Sequence, residues 1–224
     1  MTFEKYMNGT EYAVKQLFRS LKYYQDLIAE SMPPSFTGDM ITDATYGDIQ
    51  NATHDDIQNA YIAYYNSNPE FENAQEYANK KFEEYLANDM AHAAICGSIL
   101  QTAHMAISKF SEYEGDCEVL TGVHKRFGIG RLVNGLPQGL IIHAGRNQYN
   151  HWDEEPRNRT RQLFDKIATK NGEREYKDPA FDIDNPILDI YSHNIIGLLE
   201  WRSYEDYERD ILDMLSEFED VVDL

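Results

Sequence analysis

Cysteine and long apolar runs are scarce in this chain of 224 residues. Its two cysteines, Cys96 and Cys117, form no Cys-x-x-Cys pair and have no histidine at ligand spacing. This scarcity argues against a disulfide framework and against a structural zinc site, so we expect two small, partly buried thiols. No apolar run reaches the roughly eighteen residues of a membrane-spanning helix, and the opening MTFEKYMNGTEYAVK lacks the apolar core of a signal peptide. We therefore expect a cytoplasmic protein that is not held in a membrane.

Basic charge is also scarce, but it is concentrated in one region. The chain has 20 Lys and Arg residues against 39 acidic ones, a net charge of -19. Such a balance opposes casual binding to nucleic acid, because phosphate contacts need clustered cations. Residues 124–177, however, hold eleven basic residues and six acids, so this quarter carries +5 and the remainder -24. This basic island could receive an anionic substrate while the rest of the chain repels other polyanions.

Apolar residues recur at helical spacing over most of the chain. They predict a first helix that stops before Pro33, and either one long helix from Pro69 or two helices joined near Asn88. The polar residues 35–68 should form a long loop with a short helix near residues 57–65, and residues 115–135 an irregular connection with an extended piece near Leu132. Further helices are predicted at residues 136–152, 156–170, 185–201 and 203–221.

Helix-start signals support the last three of these helices. Pro156 and Pro186 suit a first helical turn, and Ser203 followed by Asp206 is a capping pattern. The predicted fold class is all-α: an antiparallel helical bundle with a long polar loop after the first helix and extra C-terminal helices. We expect residues 1–224 to form a single domain.

The helix predicted at residues 136–152 divides into two faces. One face is a polar stripe at spacings i, i+3, i+4, i+7, i+8 and i+11, made by His143, Arg146, Asn147, Asn150, His151 and Glu154. The opposite face holds Ile141, Gly145, Tyr149 and Trp152 and should contact the core. A solvated surface is the plain explanation of such a stripe. Asparagine is a poor helix former, however, so two of them within the helix favour a role other than solubility.

The stripe suits phosphodiester chemistry. His151 can transfer a proton near neutral pH, Arg146 can hold a phosphate by two hydrogen bonds, and Asn147 can orient either of them. RNA carries its own nucleophile, the 2′-hydroxyl, so neither a metal ion nor a cofactor is required. One chain supplies at most one proton-transfer group at this site, whereas in-line displacement uses a group on each side of phosphorus. A homodimer with a shared cleft is therefore the natural hypothesis.

The residues Arg146-Asn147-x-x-x-His151 resemble the R-N-x-x-x-H signature of the HEPN superfamily of helical bundles. The resemblance implies that Arg146 and His151 are catalytic and that Asn147 is the polar residue after the arginine. It also implies a metal-independent endoribonuclease of the toxin or phage-defence type, whose active site forms where two motif helices meet. An antitoxin or another regulatory protein is a possible partner.

Five further residues are candidates for binding the RNA substrate. They lie on the stripe or follow it within the basic island: His143, Asn150, Arg157, Arg159 and Arg161.

Other polar residues have simpler explanations. His92 and His104 lie in an apolar helical region, where a lone histidine is usually an interior or boundary residue. Among the acids, Asp89, Glu112 and Glu114 could orient Arg146 or His151 from a neighbouring helix.

The alternative function is a non-catalytic, acidic HEPN-like binding or regulatory module, in which Arg146 and His151 are interface or structural residues.

Overall fold

The computed structural model describes residues 1–31, 69–113 and 122–216. Within these residues the chain forms six α-helices, one 3₁₀ helix and one two-stranded sheet, so the all-α prediction is confirmed. The chain divides into two compact units, one made of Met1–Tyr24 and Met90–Leu224, the other of Gln25–Asp89. The single-domain prediction remains a prediction. The predicted loop helix at residues 57–65 and Cys117 lie outside the described residues.

The two longest helices of the described chain are α1 and α2. Helix α1 spans Phe3–Ser31, and α2 is one continuous helix, Pro69–Phe110. The predicted stop at Pro33 lies outside the described residues. In the first unit, the ring of Phe3 contacts that of Phe110 at 5.5 Å, and Tyr6 Oη donates to the carbonyl oxygen of Thr102 at 2.8 Å. A later residue of α1 thus contacts an earlier residue of α2, so the two helices run antiparallel there.

The second unit has its own polar contacts. Lys81 Nζ pairs with Glu84 Oε2 at 2.9 Å, one turn along α2. Asn88 Nδ2 donates to Ser31 Oγ at 3.5 Å, and that hydroxyl donates to the carbonyl oxygen of Leu27 at 2.8 Å. The serine hydroxyl thereby bonds back onto the preceding turn of α1.

A small hairpin leads into the helix that carries the sequence motif. After the 3₁₀ helix Gly122–Phe127, strands β1 (Leu132–Val133) and β2 (Leu136–Pro137) pair antiparallel. Asn134 and Gly135 turn between them with φ of 49° and 77°, the left-handed backbone of a tight hairpin. The extended piece near Leu132 is thus confirmed. The prediction that the next helix starts at residue 136 is wrong, because residues 136 and 137 belong to β2.

Helix α3 spans Gln138–Asn150 and has no side-chain cap at its start. Instead, the backbone N–H of Gln138 donates to Arg131 O at 2.9 Å, and that of Gly139 donates to Ile129 O at 3.0 Å. The segment just before β1 therefore satisfies the first free donors of the helix. It also fixes the point at which α3 begins.

Three shorter helices complete the described chain: α4 (Asn158–Ala168), α5 (Ser192–Leu198) and α6 (Tyr204–Ser216). The helix start predicted at residue 185 is wrong, because Asn185 Oδ1 accepts from the N–H of Ile187 at 3.1 Å and holds a turn there. Pro156 precedes the capping residue Arg157, so it lies outside the first turn of α4. The capping pattern at α6 is confirmed: Ser203 N donates to Asp206 Oδ2 at 3.2 Å, and Asp206 N donates to Ser203 Oγ at 3.3 Å.

The core of the first unit surrounds α3. Leu140, Ile141, Ile142 and Ala144 are all fully buried, and they pack in the same cluster as apolar residues of the other helices. Helix α3 is therefore a central helix, and its polar residues project from a rigid base. Among the helices of the described ranges, none is long and apolar enough to cross a membrane.

Candidate functional site

A cleft of about 380 Å³ opens in the first unit beside α3. Its wall includes Arg157, from the segment before α4, and five residues of the predicted stripe: His143, Arg146, Asn147, His151 and Glu154. Helix α2 and the 3₁₀ helix supply further lining residues: His104, Ser108, Arg126 and Phe127. The cleft thus joins the sequence motif to residues that lie far from it in the chain.

Arg146 is held in the cleft wall by neutral groups. Its Nε donates to Gln101 Oε1 at 2.7 Å, and one terminal nitrogen donates to Asn147 Oδ1 at 3.0 Å. With the amide of Asn150 turned so that its oxygen faces the guanidinium, that oxygen lies 3.1 Å from Nε and 3.0 Å from the other terminal nitrogen. In the reverse orientation the Asn150 oxygen would have no donor to accept from. We therefore assign the amide with its oxygen toward Arg146.

No carboxylate of the described residues forms an ion pair with Arg146. Partial burial lowers the pKa of its guanidinium, but arginine stays protonated at any physiological pH. The cleft therefore contains a positive charge that the described residues orient without neutralising. Such a charge attracts an anion.

His143 is more deeply buried than the stripe predicted, with 8% of its surface exposed. Its Nε2 lies 2.9 Å from Asn147 Nδ2, and its Nδ1 lies 3.1 Å from His104 Nε2. The other nitrogen of His104 lies 3.3 Å from Ser108 Oγ. His143, the first residue of the predicted stripe, thus takes part in an internal polar contact between α3 and α2.

Aromatic packing fixes both imidazole rings. The His104 ring stacks on Phe127 with centroids 4.7 Å apart and on His143 at 5.3 Å. Phe127 also contacts His143 at 4.5 Å. Arg126 ties the 3₁₀ helix to α2, since its guanidinium donates to the carbonyl oxygen of Ser108 and its own carbonyl accepts from Ser111 Oγ at 2.8 Å. The three rings therefore form one rigid wall of the cleft.

His151 is the residue that ends α3. Its φ of -130° is not helical, and its N–H donates to Gln148 O at 3.2 Å. The side chain is 40% exposed, and Nδ1 lies 3.1 Å from Glu154 Oε1, a close ion-pair distance without hydrogen-bond alignment. The ideal helical wheel therefore fails beyond Asn150. Trp152, which the wheel put on the core face, is 47% exposed for the same reason.

Gln148 anchors this end of the helix. The side chain is buried, and its Nε2 donates to the carbonyl oxygen of Asp189 at 2.7 Å, while its Oε1 accepts from the N–H of Tyr191 at 3.0 Å. The amide thus links the last turn of α3 to the segment before α5. This contact sets where His151 leaves the helix.

Of the remaining residues predicted to bind the RNA substrate, only Arg157 lines the cleft. The acidic residues of the lining are Glu154 and Glu155. Arg161 lies outside the lining and pairs with Asp184, whose pKa is lowered by that hydrogen bond. Arg159 is exposed on α4 and Asn150 is exposed beside Arg146, and neither lines the cleft.

Gln101, His104 and Ser108 were not assigned to the site from the sequence. They are spaced i, i+3 and i+7 on α2, so they form a polar stripe on a mostly apolar part of the helix. That spacing could have identified them as candidate site residues from the sequence. Within the described part of the cleft, no three His, Cys, Asp or Glu ligand atoms come together at metal-binding distance.

A scan against models of protein families matches none of them, and searches of curated proteins and of solved structures also find no match. The function of the cleft is therefore inferred from its own residues.

Proposed function

We propose that this protein is a metal-independent endoribonuclease of the HEPN type, with Arg146 and His151 as its catalytic pair. The observation that carries the proposal is that both side chains line one cleft, where Arg146 has hydrogen-bond partners but no ion-pair partner among the described residues. A charge held in this way can bind a phosphate without first breaking an ion pair.

The chemistry uses the 2′-hydroxyl of RNA as nucleophile. A base removes its proton, the oxygen attacks the adjacent phosphorus, and the bond to the 5′-oxygen breaks as an acid protonates that leaving group. The products are a 2′,3′-cyclic phosphate and a 5′-hydroxyl end. Arg146 stabilises the charge on the phosphate oxygens, and Asn147 holds Arg146 through their 3.0 Å hydrogen bond.

His151 is suited to the proton transfers. The carboxylate of Glu154 lies 3.1 Å from its Nδ1, so Nε2 is the ring nitrogen that remains for a substrate. The side chain is partly exposed at the cleft, so a substrate can approach it.

Local charge supports RNA as the substrate. Three arginines line the cleft, Arg126, Arg146 and Arg157, against two glutamates. The cleft lies in the basic island, while the rest of the chain is strongly acidic. The acidic surface would repel RNA that is not aligned with the cleft.

A homodimer is part of the proposal. Two copies related by a two-fold axis would bring a second His151 to the opposite side of the phosphate. His104 and His143 also line the cleft, but their nitrogens face one another and neighbouring polar groups. They are therefore poorly suited to be the second proton-transfer group. The protein would act in the cytoplasm as a toxin or defence effector, held in check by an antitoxin or regulatory protein.

One observation favours the alternative of a non-catalytic HEPN-like binding or regulatory module. Glu154 and Glu155 form an acidic part of the cleft lining next to His151. A partner with a basic side chain could bind there, with Arg146 as a structural or interface residue. Cleavage assays separate the two functions.

The decisive experiment measures cleavage of labelled RNA in excess EDTA by wild type, Arg146→Ala, His151→Ala and a control, Arg209→Ala, whose side chain is exposed on α6. We expect wild type and the control to cut and leave 2′,3′-cyclic phosphate ends, and both cleft variants to be inactive but folded. RNA with a 2′-deoxy nucleotide at the cut position should resist cleavage. Equal cutting by all four proteins, or none by wild type on varied RNAs, would refute the proposal.

Mixing wild type with His151→Ala tests the composite site. If every site needs His151 from both protomers, a heterodimer is inactive, so a randomly exchanged 1:1 mixture should keep about a quarter of the activity of the same total amount of wild type. About half of that activity, in a mixture shown to contain heterodimers, would mean that each chain carries a complete site.

A further inference from the structure

We propose that His104 is a positioning residue for Arg146, acting through a hydrogen-bond chain that runs from Arg146 through Asn147, His143 and His104 to Ser108. This inference rests on the proposed function, because it assigns these residues to the phosphate-binding group of that site. It concerns side chains of α2 that the sequence motif does not contain.

The chain has a defined direction because arginine can only donate. The terminal nitrogen of Arg146 lies 3.0 Å from Asn147 Oδ1, so the amide oxygen of Asn147 must face Arg146. The amide nitrogen then faces His143 Nε2 at 2.9 Å and donates to it. His143 Nε2 is therefore an unprotonated acceptor, and the proton of this ring is on Nδ1.

The same argument fixes the next ring. His143 Nδ1–H donates to His104 Nε2 at 3.1 Å, so the proton of His104 is on Nδ1, 3.3 Å from Ser108 Oγ. Every link thus donates away from Arg146. Hydrogen bonds that run in one direction polarise and strengthen one another.

The surrounding packing prevents the rings from turning. Phe127 contacts both imidazoles, and His143 is buried. A ring that cannot turn keeps its donor and its acceptor in place. Asn147 is therefore held with its oxygen toward Arg146.

The result is a guanidinium held by three neutral side chains: Gln101 at Nε, Asn147 at one terminal nitrogen, and the Asn150 oxygen at Nε and the other terminal nitrogen. Each terminal nitrogen of arginine carries two N–H groups. At least one N–H on each of them is therefore left for the two oxygens of a phosphate, in the two-bond geometry that arginine favours.

Loss of the acceptor on His104 should weaken the hydrogen bond that holds Arg146. Without it, His143 can move its proton to Nε2, which would then oppose the N–H groups of Asn147. If Asn147 turns over to relieve that contact, its N–H groups face Arg146, which has no acceptor to offer. Arg146 would lose the partner that holds one of its terminal nitrogens.

Two variants separate hydrogen bonding from packing. His104→Leu fills much of the ring volume without an acceptor, whereas His104→Gln keeps a side-chain oxygen that can accept from His143. We expect His104→Leu to lower kcat about tenfold or more, with a smaller change in KM, and His104→Gln to recover most of the loss. Circular dichroism and thermal melting would check folding, and Ser108→Ala provides a milder break of the chain if the leucine variant does not fold.

Nuclear magnetic resonance gives a readout that does not need RNA. In ¹⁵N-labelled wild type we expect His143 and His104 both as Nδ1–H tautomers, and a resolved Arg146 Nε–H signal that weakens in the variant lacking the acceptor. Nε2–H tautomers in wild type, or wild-type kcat in a folded His104→Leu protein, would overturn the inference. If wild type does not cleave RNA at all, the ribonuclease proposal fails, and the tautomers and the Arg146 signal alone decide whether the chain positions Arg146.

Discussion

Arg146 on α3 and Gln101 on α2 are joined by a hydrogen bond of 2.7 Å, in which the guanidinium Nε donates to the amide oxygen. The bond crosses between two helices and holds the arginine without cancelling its charge. A carboxylate in the same place would hold the guanidinium more strongly, but it would also compete with any anion that binds there. The neutral partner is thus what an anion-binding arginine needs.

Gln101→Glu tests this relationship with a nearly isosteric change. We expect the affinity for a 2′-deoxy RNA that cannot be cut to fall about tenfold or more, because an ion pair with Arg146 would have to be broken. Thermal stability should stay the same or rise. Gln162→Glu, on the exposed surface of α4, adds the same charge elsewhere and is the control. Equal affinities for Gln101→Glu and the control would show that Arg146 does not contact the RNA.

Asp210 offers a test of the core rather than the cleft. Its buried carboxylate accepts hydrogen bonds from Trp201 Nε1 at 2.8 Å and from Gln138 Nε2, and Arg131 lies 3.6 Å away. Asp210→Ala would leave two buried donors unpaired, so we expect it to lower the free energy of unfolding by about 2–4 kcal/mol. Urea denaturation would measure the loss, with Asp213→Ala, an exposed acid on the same helix, as the control. Equal unfolding midpoints for the two variants would contradict the hydrogen-bonding role of Asp210.

The sequence was informative where short-range spacing decides structure. The pairing of Ser203 with Asp206 and the grouping of Arg146, Asn147 and His151 both depend on neighbours within a turn or two, and each agrees with the structure. The hairpin was only half predicted, as an extended piece near Leu132. Asn134-Gly135 is a strong signal for such a turn and could have been used.

Contacts between distant residues could not be predicted in this way. His104 and His143 are 39 residues apart, so only the packing of α2 on α3 brings their rings together. The end of α3 could not be predicted from the sequence either. No glycine or proline marks Asn150 as the last residue, and the helical wheel therefore ran on to His151 and Trp152.

Gly97 on α2 allows a close approach to Tyr149 on α3. A Cβ atom at residue 97 would lie 2.5 Å from ring atoms of Tyr149, so Gly97→Ala must displace the ring. We expect a loss of about 1–3 kcal/mol in the free energy of unfolding. The loss should shrink when Tyr149 is also replaced by Ala, which calorimetry of the double-mutant cycle would measure.

Gly9→Ala is the matched control for Gly97. No atom lies within 4 Å of a Cβ at this exposed position of α1. Alanine should therefore stabilise the protein there by up to about 1 kcal/mol through helix propensity alone. A similar gain from Gly97→Ala would contradict the close packing of α2 on α3.

Tyr191 should make the protein sensitive to high pH. Burial, aided by the charge of Asp182, raises the pKa of its hydroxyl to about 12, and the hydroxyl donates to the carbonyl oxygen of Asp182 at 2.6 Å. Because the folded pKa lies above the unfolded value of about 10, the stabilisation is complete below about pH 10 and is lost as the pH rises through about 12. Burial raises the pKa of Tyr204 and Tyr207 in the same direction, so they should add to this loss.

Tyr191→Phe removes one of these titrations. We expect the variant to be about 1 kcal/mol less stable than wild type at neutral pH, from the lost hydrogen bond, and the gap to narrow at about pH 11. Urea unfolding at both pH values measures the gap, and Tyr12→Phe, at an exposed position, serves as the control. A gap that stays constant or widens with pH would mean that Tyr191 ionises as easily in the folded protein as in the unfolded chain. The hydrogen bond to Asp182 would then stabilise the fold without coupling it to pH.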